Sequence, residues 1–483
     1  MLVRPTLFAL LVSSLVGCYS VRPSQGGGEV ESGKRRRPVP ADVALADGYV
    51  IDVAAVGLTF PTDIAFDERG RLYVVEAGYA YGEKFTTPRL LRLEPGGAWQ
   101  VVAQGNNGPW TGAVFHDGAF FLSEGGQQEG GKLVRITPKG ERTVLVGGLP
   151  GQGDHHTNQP VVGPDGFIYF GQGVSTNSGI VGEDSKDFGW LTRFPGNHDI
   201  PCKDVTLTGK NYETRDVLRG TDARIVTGAY VPFGTKTEPD QVIAGKVPCT
   251  GAVLRVNATG GPVELVAWGL RNPFGLAFDA RGVLYATDNG ADERGSRPIF
   301  GSADVLWKIE PGGWYGWPDF SEGRAVDHDR YAPPGGATPH RLLAKHPGTP
   351  PKPAAYLAVH ASANGLDFST NPTFGYEGQA FIAIFGDMAP KVGKVMGPVG
   401  FKVVRVDVGS GVVRDFAVNR SEKQGPASLL ETGGFERPVA VRFDRQKTSL
   451  YVVDFGVLAV SDSGITASEG TGVVWRIHRK GTP

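Results

Sequence analysis

Residues 154–171 read DHHTNQPVVGPDGFIYFG, and this stretch decides the fold. Its second half is a turn that leads into a strand, because Pro-Asp-Gly supplies fixed and positive φ while Phe-Ile-Tyr-Phe supplies β-branched and aromatic residues. The same turn and strand recur along the chain. Close copies occupy residues 65–75, 277–286 and 441–453, and looser copies occupy residues 115–122 and 366–383.

A second kind of short apolar strand accompanies each copy and ends in a polar or glycine-rich turn. These strands occupy residues 90–93, 133–136, 253–256, 305–309, 403–406 and 473–477. Almost nothing between them has the periodicity of an amphipathic helix. Six pairs of strands at irregular spacing predict an all-β fold, a six-bladed β-propeller with long excursions between strands.

Residues at one phase of the repeat occupy equivalent places around a propeller axis. Counting fourteen positions back from the tyrosine of three copies reaches His155, Arg271 and Arg437. This phase lies just before the innermost strand, where loops of different blades face one another across the axial channel. Each arginine alone could cap a strand or pair with a loop carboxylate, whereas three such groups at one phase predict an anion site.

The N-terminus has the pattern of an export signal. In Met1–Cys18 one positive residue precedes an apolar run that is too short to span a membrane, and Leu-Val-Gly-Cys resembles a bacterial lipobox. We therefore expect a lipoprotein-type signal peptide over 1–18 and lipidation of Cys18, which would anchor the chain on the periplasmic side of the cell envelope. An ordinary cleaved signal and secretion remain the alternative. Residues 19–44, rich in Gly, Pro and basic side chains, are predicted to be a flexible tether.

Composition limits the remainder of the chain. The 483 residues include 71 Gly and 35 Pro and carry a net charge of -1, which is typical of a turn-rich β protein and suggests no nucleic-acid partner. Because the repeats continue almost to the C-terminus, we predict one propeller over 45–480. Export favours a disulfide between Cys202 and Cys249 that staples an inserted excursion over 174–250, whereas a metal or thiol pair would be expected to show Cys-x-x-Cys spacing.

Three further runs carry a family resemblance: GLRNPFGLAF at 269–278, TDNGADE at 287–293 and PGGWYGWP at 311–318. With the Asp-His segment, they make most of the predicted propeller resemble the soluble glucose/sorbosone dehydrogenase family. Members of that family are six-bladed propellers, and the characterised enzymes use pyrroloquinoline quinone (PQQ) with calcium to oxidise sugars.

The resemblance implies a role for each matching residue. His155 would be the catalytic base, Arg271, Asn272 and Arg437 would contact the cofactor, the backbone oxygens of Gly290 and Ala291 would bind the calcium beneath the quinone, and Asp304 and Tyr315 stand in register with a structural calcium site. The chemistry is consistent, because PQQ is a tricarboxylate that suits arginine, Ca²⁺ prefers oxygen ligands, and an imidazole suits proton abstraction.

The sequence also departs from the family pattern. Val174 replaces the aspartate that orients the catalytic histidine, Val439 replaces the second arginine of an Arg-x-Arg pair, and Val305 replaces a calcium-binding glutamate. His156 is the alternative base, and we expect it to point away from the channel if His155 points inward. The loop carboxylates Asp288, Asp292 and Glu293 could form a metal cluster or be solvated.

These observations support three functional hypotheses. The first is an exported PQQ- and calcium-dependent oxidoreductase that oxidises an aldose sugar or related polyol at a C–OH group and passes electrons to an external acceptor. The alternative is a non-catalytic propeller that binds a ligand or partner in the same axial channel. The third is a metal-dependent, lactonase-type hydrolase, which needs three or four side-chain ligands on the axis.

Overall fold

The computed structural model describes residues 36–220, 222–388, 397–461 and 464–481. The predicted signal peptide, including Cys18, lies outside these residues. Within the described ranges the chain is almost entirely β, and no helix there combines the length and the apolar character needed to cross a membrane.

The predicted six-bladed β-propeller is confirmed. Six antiparallel sheets surround one axis, and the first strand of each sheet contacts the first strand of the next, so that the ring is closed. From the axis outward, blade 1 consists of Pro61–Phe66, Leu72–Glu76, Arg89–Leu93 and Trp99–Gln104, and blade 2 of Trp110–His116, Ala119–Glu124, Gly131–Ile136 and Arg142–Leu149. Blade 3 consists of Thr157–Val162, Phe167–Gln172, Ala252–Asn257 and Glu264–Trp268, and blade 4 of Pro273–Phe278, Leu284–Asp288, Ala303–Lys308 and Ala355–Val359. Blade 5 consists of Ala363–Phe368, Ala380–Ile384, Lys402–Asp407, Val412–Asn419 and Val43–Leu45, and blade 6 of Pro438–Phe443, Ser449–Asp454, Gly472–Arg479 and Tyr49–Leu58.

The two kinds of strand in the sequence repeat are the second and third strands of each blade. The turn before the second strand uses a left-handed glycine in five blades, with φ of 72° at Gly70, 72° at Gly118, 79° at Gly166, 78° at Gly282 and 79° at Gly378. In blade 6 the same turn places Lys447 at φ 57°. Glycine adopts this conformation without steric cost, which explains why the Asp-x-x-Gly or Pro-Asp-Gly signal marks the blades so clearly.

The N-terminal segment closes the ring. Tyr49–Leu58 pairs with Gly472–Arg479 in blade 6, and Val43–Leu45 pairs with Val412–Asn419 in blade 5. The expected flexible tether over 19–44 is therefore wrong for residues 36–44. The guanidinium of Arg36 is buried, donates to the carbonyl of Gly434 at 2.8 Å and contacts the carboxylate of Asp454, so this basic residue is held by a buried opposite charge.

The excursions carry the remaining elements. The two α-helices, Glu183–Asp187 and Trp190–Arg193, lie within the excursion of blade 3, and 3-10 turns occupy Pro40–Asp42 and Asp329–Tyr331. Two-stranded hairpins pair Tyr79–Ala80 with Lys84–Phe85, Val205–Thr206 with Val242–Ile243, Tyr212–Arg215 with Arg224–Thr227, Phe320–Ser321 with Arg324–Ala325, and Leu458–Ser461 with Gly464–Ala467. The predicted disulfide between Cys202 and Cys249 is present. It links the interior of this excursion to the C-terminal end of the same excursion.

Candidate functional site

A cavity of about 190 Å³ opens where the loops that precede the first strands converge. Every blade contributes to its wall, and so does the excursion of blade 3. The lining residues include Tyr79, Tyr81, Thr111, Asp154, His155, His156, Phe188, Trp190, Arg271, Asn272, Phe274, Gly290, Ala291, Asp292, Arg294, Asp304, His360, Phe385, Val439 and Phe455. His155 and Arg271, which share one phase of the repeat, both line this cavity.

Buried carboxylates hold the loops that carry the predicted site residues. Asp288 accepts hydrogen bonds from the backbone N–H groups of Arg271 at 3.1 Å and Asn272 at 2.6 Å, and Asp454 accepts one from the N–H of Arg437 at 2.8 Å. Both carboxylates stand three residues after the repeat tyrosine of their blade. Our sequence analysis assigned Asp288 to a metal cluster or a solvated loop, and both assignments are wrong because the side chain is buried and bonded to backbone and to Trp307.

His155 presents an unprotonated nitrogen beside the cavity. Its Nδ1 lies 3.0 Å from the carbonyl oxygen of Val174, which can only accept, so the proton sits on Nδ1 and the lone pair on Nε2. Burial lowers the pKa of His155 to about 3, with Arg271 and Arg294 adding to the effect and Asp154 opposing it. The imidazole is therefore neutral at pH 7 and able to accept a proton. The backbone carbonyl of Val174 thus fixes the tautomer of the ring.

His156 lines the same cavity, so the expectation that it would point away is wrong. The alternation of side chains holds within a strand, whereas both histidines precede the strand that begins at Thr157. Nδ1 of His156 lies 3.0 Å from the carbonyl of Gly151. Its Nε2 is buried and has no hydrogen-bond partner among the described residues, and burial lowers the pKa of this imidazole as well.

Asp154 joins two blades through one carboxylate oxygen. Its Oδ2 lies 2.5 Å from Arg294 Nη2, 3.3 Å from Arg271 Nη2 and 3.8 Å from His155 Nε2. The two guanidinium groups outweigh the cost of burial and hold the pKa of Asp154 well below its usual range. Asp154 thus faces Nε2 of His155 and not Nδ1. Arg294 could not be anticipated from the repeat, because it stands at no shared position of the blades.

The three groups predicted to converge do so in part. His155 and Arg271 meet through Asp154, and Asn272 lines the cavity with its amide bonded to Asn289 at 2.8 Å. Arg437 does not line the cavity. Its guanidinium instead donates to the carbonyls of Gly386 and Asp387 at 3.1 and 3.2 Å, and its carbon lies 5.1 Å from the ring centre of Phe385, which does line the wall.

The residues predicted to bind calcium line two neighbouring cavities. Gly290, Ala291 and Asp304 line the main cavity, and Asp304 accepts from the N–H groups of Gly290 at 2.9 Å and Ala363 at 2.6 Å. Burial raises the pKa of Asp304 to about 6. Tyr315 lines a smaller neighbouring cavity of about 30 Å³, and its hydroxyl donates to the carbonyl of Lys308 at 2.8 Å. Asp304 thus lines the larger cavity and Tyr315 the smaller one, while Gly290 and Ala291 line both.

His360 is a cavity residue that the sequence analysis missed. It lies on the loop before the first strand of blade 5, and its Nε2 is 2.6 Å from the buried carboxylate of Glu293. Despite burial, that contact raises the pKa of His360 to about 9. Asp292, for its part, accepts from Arg294 Nε at 3.2 Å. Asp292 thus pairs with Arg294, and Glu293 pairs with His360. These ion pairs correct the assignment of both carboxylates to a metal cluster or a solvated loop.

The described residues contain no group of three or more His, Cys, Asp or Glu side chains able to hold a metal ion. The hydrolase hypothesis requires three or four such ligands on the axis, so nothing in these residues supports it.

Comparisons with known proteins agree with the resemblance. A model of the glucose/sorbosone dehydrogenase family matches residues 244–388. One curated relative, quinoprotein glucose dehydrogenase B of Acinetobacter calcoaceticus, is 26% identical over 175 residues, which are 36% of this chain and 28% of the relative. The resemblance to the glucose/sorbosone dehydrogenase family is confirmed. The chain matches less than a third of the length of that relative, and the family segment contains Arg271, Asn272, Gly290, Ala291 and Asp304.

Solved structures of two aldose sugar dehydrogenases share the fold over nearly the whole chain. A PQQ-bound aldose sugar dehydrogenase of Streptomyces coelicolor covers 90% of this chain and all of its own, with a TM-score of 0.51 and 16% identity. The soluble aldose sugar dehydrogenase of Escherichia coli, in its apo form, covers 89% of this chain and all of its own, with a TM-score of 0.52 and 13% identity. At these identities the likeness establishes the propeller fold alone.

Proposed function

We propose that this chain is a PQQ- and calcium-dependent dehydrogenase that oxidises an aldose sugar or related polyol at a C–OH group. The observation that carries the proposal is the neutral imidazole of His155, whose Nε2 is free to accept a proton at the wall of a cavity shared with Arg271 and Asn272. A hydroxyl of the substrate placed against Nε2 would lose its proton there.

The cavity residues fit a flat, anionic cofactor. Phe274, Phe385 and Phe455 supply aromatic walls, and Arg271 with Asn272 supplies a polar edge. When bound, PQQ supplies the quinone that accepts the hydride from the substrate carbon. Both cavity arginines already contact Asp154, and Val439 is apolar where the family has an arginine, so we expect weaker binding than a set of unpaired cations would give.

The backbone at Gly290 and Ala291 fits a calcium ion. Both residues line the cavity, and neither carbonyl oxygen accepts a hydrogen bond from the described residues, whereas their N–H groups donate to Asp304 and Ser302 at 2.9 Å. Carbonyl oxygens are ligands that Ca²⁺ prefers. The carbonyls of Gly290 and Ala291 would therefore hold the ion, with Asp304 fixing the loop from behind.

Reconstitution tests the proposal. The purified chain is loaded with PQQ and Ca²⁺, and the reduction of an artificial dye is followed with a panel of aldoses and polyols. We expect sugar-dependent reduction that requires both additions. If PQQ binds in an absorbance titration but no substrate in the panel reduces the dye, the non-catalytic ligand-binding alternative replaces this proposal.

We also propose that the chain is exported and held at the cell envelope by a lipid on Cys18, with an external electron acceptor on the same side. The lipobox-like ending of the signal supports this location. Fractionation of cells that express the wild-type chain and Cys18→Ser should place the first with membranes and release the second. An equal distribution of the two proteins would contradict lipid anchoring.

A further inference from the structure

The excursion of blade 3 contacts Arg294, a buried arginine at the cavity wall, on two sides. Arg294 Nη1 lies 2.6 Å from Asp184 Oδ2, and its guanidinium carbon lies 5.1 Å from the ring centre of Phe188. Phe188 in turn stacks on Trp190, with ring centres 4.6 Å apart. Asp184, Phe188 and Trp190 all belong to the two short helices of the excursion or the turn between them, so one segment holds this guanidinium by charge and by an aromatic face.

The other edge of the same guanidinium holds the group that faces the base. Arg294 Nη2 is 2.5 Å from Asp154 Oδ2, and that oxygen is 3.8 Å from His155 Nε2. Arg294 and Asp154 are both buried. A contact chain therefore runs from the excursion through Arg294 and Asp154 to the nitrogen that would accept the proton, and no part of it is exposed enough for water to screen the charges strongly.

We propose that Arg294 is a positioning residue for the base: the excursion fixes this guanidinium, which fixes the carboxylate of Asp154 beside Nε2 of His155. The inference rests on the proposed function, in which the O–H bond of the substrate breaks, its electron pair stays on oxygen and the proton moves to Nε2. The imidazolium so formed keeps its Nδ1–H bond to Val174 and lies beside the Asp154 carboxylate, which stabilises it.

The charged groups around His155 have opposite effects on its pKa. Asp154 of blade 3 favours the protonated imidazole, whereas Arg271 and Arg294 of blade 4 disfavour it. Removal of Arg294 should therefore make Nε2 more basic, and removal of Asp154 should make it less basic. If Arg294 holds Asp154 beside Nε2, the effect of removing Asp154 should also depend on whether Arg294 is present.

The experiment measures the protonation of His155 directly, in the full chain and without cofactor. Ring-¹⁵N-labelled protein is titrated by two-bond ¹H–¹⁵N spectroscopy, with His155→Gln used to assign the signal. In wild type, we expect Nε2 to stay unprotonated down to about pH 4. Arg294→Met removes a neighbouring cation and should raise the midpoint by about one pH unit or more, into the measurable range. Addition of Asp154→Asn to that variant should then change the midpoint by less than about one pH unit, because the carboxylate is no longer held beside Nε2.

Two further variants keep the test decisive. Arg193→Met is the matched control, because Arg193 ends the second helix of the excursion and pairs with Glu83 instead of Asp154. It should leave the midpoint unchanged. Arg294→Gln, which keeps an amide facing Asp154, should show the same upward shift if Arg294→Met does not fold. If the wild-type chain oxidises sugars but His155 titrates with the wild-type midpoint in both Arg294 variants, the inference is overturned. A fall of about one pH unit or more on adding Asp154→Asn would show that Asp154 keeps its place without Arg294, and would also overturn the inference. The expected midpoints in a chain that oxidises no sugar would leave the positioning in place and refute only the proposed reaction.

Discussion

Two buried histidines lie side by side at the cavity wall, and their hydrogen bonds distinguish them. Nδ1 of His155 is bonded to Val174, and its Nε2 is the nitrogen beside Asp154, whereas His156 is bonded to Gly151 and stands 5.9 Å from Tyr79, ring centre to ring centre. The first has both a fixed tautomer and a charged neighbour. The geometry thus favours His155 as the base, although the two residues are equally buried.

His155→Gln should therefore lower kcat of the reconstituted enzyme by about 10²–10⁴-fold, the usual contribution of a positioned general base. His156→Gln is the matched control, since it removes an equally buried imidazole from the same wall, and it should keep kcat within about threefold of wild type. Steady-state dye reduction measures both variants. The reverse pattern would assign the base to His156.

His360 gives the stability of the chain a pH dependence of its own. Its pKa is raised from 6.5 to about 9 by the contact with Glu293, so the folded state binds the proton more tightly than the unfolded state. The stabilisation is complete below pH 6.5 and is lost as the pH rises through about 9. His360→Gln should thus be most destabilising near pH 6 and progressively less so towards pH 9.5.

Urea unfolding at several pH values, followed by tryptophan fluorescence, measures this difference. Glu293→Gln serves as the second variant, because it removes the partner and should abolish the same pH-dependent part of the free energy of unfolding. A gap between wild type and His360→Gln that stays constant from pH 6 to pH 9.5 would refute the role assigned to this ion pair.

At the scale of elements, the excursion of blade 3 connects the disulfide to the site. Cys202 and Cys249 close a segment of 47 residues, and the disulfide lies on the same excursion as Asp184 and Phe188, which contact Arg294. A crosslink over a loop of this length stabilises a fold by about 2–4 kcal/mol, mainly by restricting the unfolded chain. Its loss should therefore affect both stability and the geometry of the cavity.

The double variant Cys202→Ala with Cys249→Ala should lower the free energy of unfolding by about 2–4 kcal/mol in denaturant titrations. Below the unfolding transition it should also weaken PQQ binding, because the excursion no longer holds Arg294 firmly. Wild-type protein treated with reductant is the matched comparison and should behave in the same way. Unchanged stability in both samples would show that the excursion is held by its packing alone.

The repeat made the blades and one end of the channel predictable from sequence. The tyrosine of each close copy marks the second strand of its blade. The position fourteen residues before that tyrosine lies in the loop of His155 or Arg271, because each blade repeats the same local geometry. The carboxylates Asp288 and Asp454 could have been found by the same method, since they stand three positions after the repeat tyrosines. Local turn chemistry and strand periodicity carry this information.

The charge network of the site could not be predicted in that way. Asp154 and Arg294 are 140 residues apart in sequence. Arg294 and Asp184 are 110 residues apart, and Asp184 lies in an excursion that is not part of the blade repeat. The side chain of Arg437 has the expected phase but turns towards Phe385 and two carbonyls, because phase fixes a backbone position and not a rotamer. Contacts of this kind depend on the tertiary arrangement of separate blades.

At the scale of the whole molecule, closure of the ring brings these blades together. The outer strand of blade 6, Tyr49–Leu58, comes from the beginning of the described chain and pairs with Gly472–Arg479 at its end. Arg36 adds a second link, because its guanidinium contacts Asp454, the carboxylate that holds the backbone of Arg437. The N-terminal segment thus supports both the closed sheet and one loop of the channel.

Two truncations separate these contributions. A chain that starts at Tyr49 keeps the closing strand but lacks both Arg36 and the outer strand Val43–Leu45 of blade 5. It should lose at least about 3 kcal/mol of stability, because Asp454 is left buried without its cation. A chain that starts at Thr59 lacks the strand itself and leaves blade 6 with three strands and an open edge. Calorimetry should show one cooperative transition at lower temperature for the first and no cooperative transition for the second. A cooperative transition in the shorter chain would mean that contacts among the first strands, from Pro61–Phe66 to Pro438–Phe443, suffice to close the ring.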